Sequence, residues 1–297
     1  MSKKLWQPSI IVKKNSNLFA FENYISKKLK IKFNRNYKKL LNWSIKNSPE
    51  FWSRFWDFSK IKGIKSNKNF RKSKTFYKNL FLPGSRLNFG ENLLSKNNNE
   101  KAVTFISENG FREERSWRQL NLNTNKISKF LKKINIKKGD RVAAYMPNTI
   151  ETVEAFIATT SLGGIWSSCS PDFGSKGVIE RFSQINPKVL FITDQYFYNG
   201  KKIDILNRLP EILKLIPSIK SVVISNYPGK KFIKNKYKFK KINLFKWNEL
   251  MQTNAEKIDF KRFDFETELA ILYSSGTTGK PKCICHRSGG VLIQHMK

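Results

Sequence analysis

The stretch ILYSSGTTGKPKCICH, Ile271 to His286, gathers small hydroxyl residues, two glycines and two lysines directly behind a short apolar run. Gly276 and Gly279 let the backbone approach a ligand closely, so successive N–H groups can converge on an anion. Ser274, Ser275, Thr277 and Thr278 add four hydroxyl donors with little bulk, and Lys280 and Lys282 bring positive charge. Together they have the chemistry of a polyphosphate cradle. A Walker A loop would need glycine at 274 and Ser or Thr at 281, where Ser274 and Pro281 stand. A kinase glycine loop fails too, because only Gly276 and Gly279 occur. Pro281 and the alternating KCICH predict strand–loop–strand instead of strand–loop–helix. Two plainer readings compete: a solvated hairpin loop for the whole run, and a strand-end solvent charge for Lys282.

Other reactive side chains carry less. Three cysteines, Cys169, Cys283 and Cys285, support no disulfide framework. Cys283, Cys285 and His286 lack a second ligand pair, and in a strand His286 points away from the two thiols, so no metal site is expected and the thiols are read as core residues. His286 and His295 are read as structural. Trp166 and the following SSCSP segment are expected to pack the core.

These residues need elements to hold them. LLNWSIKNSPEFWSRFWDFSKI reads as an aromatic-faced helical region from Asn42 with a break at Ser48-Pro49, Pro83-Gly84 as a turn, and Asn88 onward as a short helix. Asn109-Gly110 predicts a hairpin. Ser116 and Gln119 form a capping box for a helix reaching about Ile134. Gly139-Asp140 turns into the strand RVAAYM, and Asn148 to Glu151 is a second capping signature before a helix stopped by Gly163-Gly164. IWSSCS, KVLFIT, SVVIS, LAILYSS and KCICH read as strands, with helices over GVIERFSQI, Lys202 to Leu215 and SGGVLIQHMK. The lysine-rich stretch to about Leu244 reads as a surface loop. Strands alternating with helices predict an α/β fold with mostly parallel sheets covered by helices. A boundary near Lys96 to Glu100 divides a helical region, 1–98, from a second domain, 99–297. The pattern stops at Lys297 inside a helix, so a truncated domain is expected.

The 297 residues include seven Trp and 24 Phe, enough for a sizeable core. No run of about 18 apolar residues and no secretory signal is visible, so a cytoplasmic protein without membrane partners is expected. The net charge of +35, 57 Lys+Arg against 22 Asp+Glu, would suit a polyanion. Yet the lysines are scattered through Asn- and Ile-rich text, as an AT-rich coding sequence would produce. Specific nucleic-acid binding is therefore the alternative, not the leading reading.

SSGTTGKPK after an apolar strand resembles the phosphate-binding signature of the adenylate-forming enzymes, the superfamily that includes the acyl-CoA synthetases. Within it, FLPGSRLNFGENLL, RVAAYMPNTIETVEAFIATTSLGGIWSSCSPDFG and YSSGTTGKPKCICHRSGG are similar to the branch that activates acetoacetate, from about Trp6 to Lys297. The resemblance implies the large N-terminal domain of that fold, incomplete here. It implies ATP, Mg2+ and CoA as cofactors and acetoacetate as substrate, with acetoacetyl-AMP formed before transfer to the thiol. Ser274 to Gly279, Lys280 and Lys282 would contact the ATP phosphates. Gly200, Lys201 and Lys202, in a basic turn after KVLFIT, would meet the nucleotide end of CoA. The assisting lysine of the family lies in a C-terminal domain without counterpart here, so the fragment is expected to be inactive alone. Another short-chain acid remains an alternative substrate.

Overall fold

The computed structural model describes residues 5–230, 238–254, 257–274 and 279–297. They form two compact units, one of residues 1–86 with 292–297 and one of 87–291.

The first unit is built from helices α1 (Ile10–Lys14), α2 (Asn17–Leu29), α3 (Tyr37–Lys46) and α4 (Ser48–Phe58). Ser9, Ser16 and Asn36 accept from backbone N–H groups of the first turns of α1, α2 and α3, satisfying donors that a helix start leaves open. The expected break falls at Asn47, with Pro49 in the first turn of α4, and α3 begins five residues before Asn42. The core is aromatic. The Phe21 ring centroid lies 5.5, 5.2 and 5.0 Å from those of Phe51, Phe55 and Phe58.

The second unit opens with α5 (Phe89–Leu93) and a hairpin of β1 (Lys101–Ile106) and β2 (Arg112–Ser116). Then come α6 (Trp117–Lys133), β3 (Arg141–Tyr145), α7 (Ile150–Ser161), β4 (Ile165–Cys169), α8 (Ser175–Ile185) and β5 (Val189–Thr193). Strands β6 (Gln195–Tyr198) and β7 (Lys201–Asp204) form a small hairpin before α9 (Leu209–Leu215) and β8 (Ser221–Ser225). The chain continues through β9 (Asn243–Lys246), α10 (Trp247–Met251), β10 (Glu268–Ser274), β11 (Lys282–Arg287) and α11 (Ser288–Met296). Asn88 caps α5 and its Nδ2 donates to the Ser161 and Lys261 carbonyls, both at 2.8 Å. Gly90 is required beside it, since a Cβ there would stand 1.9 Å from Ser161 Oγ.

The central sheet has seven strands in the order β9-β8-β5-β3-β4-β10-β11. All neighbouring pairs run parallel except β10 with β11. Side chains alternate across it, as the twofold period of a strand demands. Val142, Ala144, Val189, Phe191 and Val223 meet α6, α7 and α10 on one face. Ala143, Tyr145, Leu190, Ile192, Val222 and Ile224 meet α8 and α9 on the other. Both faces are covered, which is why these strands read as nearly continuous apolar runs. The α/β architecture with a mostly parallel sheet is the one expected.

Three local expectations are corrected. Residues 202–204 are strand, because Asn199 (φ 49°) and Gly200 (φ 72°) make a tight turn that folds β7 back on β6. The N-cap of α7 is Thr149, not Asn148, and it makes no side-chain cap to the backbone. Cys169 is buried as expected of a core thiol, but Cys283 and Cys285 are exposed on β11.

Candidate functional site

The order of the parallel strands decides where a ligand can sit. From β3 the chain steps to β4 on one side, then returns to β5 on the other. At such a reversal the connections leave in opposite directions and open a crevice at the carboxyl ends of the strands. Tyr145, Cys169 and Thr193 end β3, β4 and β5 there. Because β10 runs parallel to β4, Ser274 ends at the same edge.

The loop is held at both flanks. On the entry side, Tyr273 packs against Phe182 of α8 at 6.5 Å, and the Arg181 guanidinium lies 5.8 Å from its ring. The Tyr273 hydroxyl is 3.0 Å from Ser167 Oγ on β4. Burial pushes this phenol up, so it remains neutral. On the exit side, Gln184 Nε2 donates to the Pro281 carbonyl at 2.9 Å. Ser274 pairs with Lys282 across the antiparallel strands, which is the strand–loop–strand arrangement read from the sequence. Ser275, Gly276, Thr277 and Thr278 lie outside the described residues. Gly279 takes φ +92°, with open space where a Cβ would stand, and Lys280 and Lys282 are exposed. An N–H donor with no Cβ in front of it and two solvent-facing ammonium groups fit a polyphosphate.

The remaining candidates sit elsewhere. Gly200 and Lys201 belong to the β6–β7 turn, whose Asn199 and Gly200 N–H groups donate to the Glu108 carboxylate at 2.8 and 3.0 Å. Those two donors are occupied, and an anion would find the Lys201 and Lys202 ammonium groups, both exposed. Strand β5 is three strand spacings from β10, roughly 14 Å.

Several residues near the carboxyl ends of these strands were not singled out by spacing. Arg208 Nη1 donates to the Pro171 and Phe173 carbonyls at 3.0 and 2.8 Å and also reaches the buried Tyr145 hydroxyl, fixing the loop after β4. Arg181 stacks on Phe173 with its guanidinium 4.1 Å from the ring centroid. Asp194, fully buried at the end of β5, accepts from the Tyr227 N–H at 2.8 Å. Burial pushes the Cys169 thiol up to about 12, which makes it unreactive. Further along, Glu154 of α7 is buried with Asn123 donating to it at 2.8 Å and Arg115 3.6 Å away. Its carboxyl is pushed up to about 8, chiefly by desolvation. The helix TVEAFIATTSL could have shown it, as a lone carboxylate among apolar neighbours. Arg208 gave no such signal, since its partners lie 35 to 63 residues away.

Trp166 packs against Phe156 and Phe191 in the core. Among the described residues no group of three or more His, Cys, Asp or Glu side chains could hold a metal ion, and no helix is long and apolar enough to cross a membrane.

Comparison with known proteins converges on one family. The AMP-binding enzyme family matches residues 92–297. The acetoacetyl-CoA synthetase of Xenopus tropicalis is 37% identical over 308 residues, covering 99% of this chain and 44% of that protein. The acetoacetyl-coenzyme A synthetase of Rhizobium meliloti (strain 1021) is 35% identical, covering 99% of this chain and 45% of that protein. The solved acetoacetyl-CoA synthetase of Streptomyces lividans superposes with a TM-score of 0.90 at 28% identity, over 100% of this chain and 45% of that one. The chain thus spans less than half the length of these relatives. A family match over more than two thirds of its residues, on the same fold, means that this chain belongs to the AMP-binding enzymes.

Proposed function

We propose that this chain supplies the phosphate-binding half of an ATP-dependent acid–thiol ligase that joins acetoacetate to CoA. An acetoacetate oxygen attacks the α-phosphorus of ATP, giving acetoacetyl-AMP and pyrophosphate. The CoA thiolate then displaces AMP to give acetoacetyl-CoA. The first step gathers negative charge on phosphoryl oxygens, so fixed cations and backbone donors are the appropriate device. Lys280, Lys282 and the loop 274–279 would hold the leaving pyrophosphate. Mg2+ would arrive on the nucleotide's phosphates and neutralise part of their charge. The observation that carries this reading is the antiparallel β10–β11 pair, which presents Gly279 and Lys280 at the carboxyl edge of a parallel sheet. Similarity to the named synthetases supports acetoacetate as the acid.

Gly200, Lys201 and Lys202 are proposed as the meeting point for the charged end of CoA. The relatives' remaining half has no counterpart among these 297 residues, so turnover is assigned to a full-length polypeptide and the chain alone is expected to be inactive. The test is acetoacetate-dependent exchange of pyrophosphate into ATP by a full-length version. Lys280→Ala is expected to slow exchange about a hundredfold with the circular dichroism unchanged. Unaltered exchange would overturn the assignment, and faster exchange with another short acid would move the substrate within the family. Lys201→Glu is expected to raise KM for CoA and leave exchange intact.

A further inference from the structure

We propose that residues 5–14 form a surface anchor that lies on anionic lipid bilayers. The sequence alone supplies only the charge: 22 Lys+Arg against three Asp+Glu in residues 1–86. The structure adds an apolar half. Leu5, Trp6, Ile10, Ile11 and Val12 are 96, 77, 68, 72 and 58% exposed, and α1 buries no residue. The segment is nonetheless shaped, since Ser9 Oγ accepts from the Val12 N–H at 3.3 Å and Lys13 and Lys14 occupy the last turn of α1.

Five large apolar side chains are exposed within eight residues, and exposure elsewhere among the described residues does not match that density. A bilayer interface satisfies each part of the segment. Aliphatic side chains enter the acyl boundary, Trp settles at headgroup level, and Lys13 and Lys14 stay with the headgroup phosphates. The surrounding lysine excess supplies attraction to anionic lipid, which so short an apolar segment needs in order to bind stably. A nucleic acid would use the lysines but leave the apolar side chains wet. A second copy would bring one strongly basic surface against another. The occupant that matches both features is therefore an anionic membrane surface, reached from one side without any spanning helix.

Co-sedimentation of the 297-residue chain with phosphatidylcholine vesicles, with and without about 30% phosphatidylserine, tests this. Binding is expected with the anionic vesicles, at least about tenfold weaker binding with neutral ones, and loss of most binding near about 0.5 M salt. The triple variant Trp6→Ser, Ile10→Ser, Ile11→Ser is expected to weaken binding to anionic vesicles at least about tenfold with the far-ultraviolet dichroism unchanged. Absence of wild-type binding, or a variant that binds as well as wild type, overturns the anchor and leaves only diffuse charge. Preference for duplex DNA over anionic vesicles in direct competition also overturns it. So does lipid-free self-association abolished by the same variant, which would place the segment on a second copy.

Discussion

The two units bury their apolar residues by different means. In residues 87–291 a parallel sheet offers two faces, and helices cover both, so Tyr145, Phe182, Phe191 and Leu190 are sealed from water. In residues 1–86 with 292–297, four short helices meet through aromatic rings and leave a groove of about 370 Å3, lined by Phe21, Phe51, Trp52, Phe55 and Phe58 among others. Charge follows the same division: 34 Lys+Arg face 19 Asp+Glu in residues 87–291, against 22 and three in residues 1–86. A sheet covered on two sides fixes its side chains by layer. A small helical unit has more surface for its volume and keeps apolar edges exposed. Stability is therefore expected to concentrate in the sheet unit, and surface interactions in the helical one.

Substitutions can break this contrast. Phe182→Ala, at a site without exposure in the sheet core, is expected to cost about 3–5 kcal/mol in urea unfolding. Comparable loss from Phe58→Ala, on the groove rim, would erase the difference; about 1–2 kcal/mol is expected there.

Next comes pH. Folding raises the Glu154 carboxyl to about 8, so between its unfolded value near 4.5 and that pH the folded chain holds a proton that the unfolded chain has lost. This contribution is full below about 4.5, declines as pH rises through 8, and is then constant, a change on the order of a few kcal/mol. Glu151 on the same helix is raised in the same direction, mainly by burial. Glu154→Gln, which can still accept from Asn123, is expected to flatten the fall of Tm between about pH 5 and 8. A slope identical to wild type would place the titration elsewhere.

Arg208→Leu, which removes donors to Pro171 and Phe173, is expected to cost about 2 kcal/mol. Phe76→Ala, 88% exposed in the helical unit, is expected to change stability by less than about 0.5 kcal/mol.

Much of the sheet unit was legible because local and global signals agree there. Ser116 and Gln119 do form a reciprocal capping box, and Asn109-Gly110 does turn a hairpin, with Gly110 at φ +78°. The same dipeptide recurs at Asn199-Gly200, where a leucine- and isoleucine-rich run downstream suggested helix and the turn won. Glu108 then joins the two hairpins through its bonds to that second turn, a contact across 91 residues that no local pattern reveals. The phosphate-binding role proposed for the loop 274–282 rests on the chemistry of its glycines and lysines. The support of its flanks was not legible, because Arg181, Phe182 and Gln184 act on Tyr273 and Pro281 from a helix about a hundred residues earlier. Cys283 and Cys285 were read as core thiols because no second ligand pair accompanies them and His286 points the other way along the strand. Strand β11 is instead exposed, at the end of the sheet order, where among the described residues only β10 pairs with it.

That exposed strand has a consequence for handling the molecule. From Lys282 to Cys285 every residue is exposed, so the outer rim of β11 is a template on which another copy's strand could add. Repulsion between chains of net charge +35, with Lys282 and Arg287 at either end of the rim, opposes such polymerisation. Concentrated salt shields that repulsion without altering the rim, so turbidity of concentrated stocks is expected to climb with ionic strength.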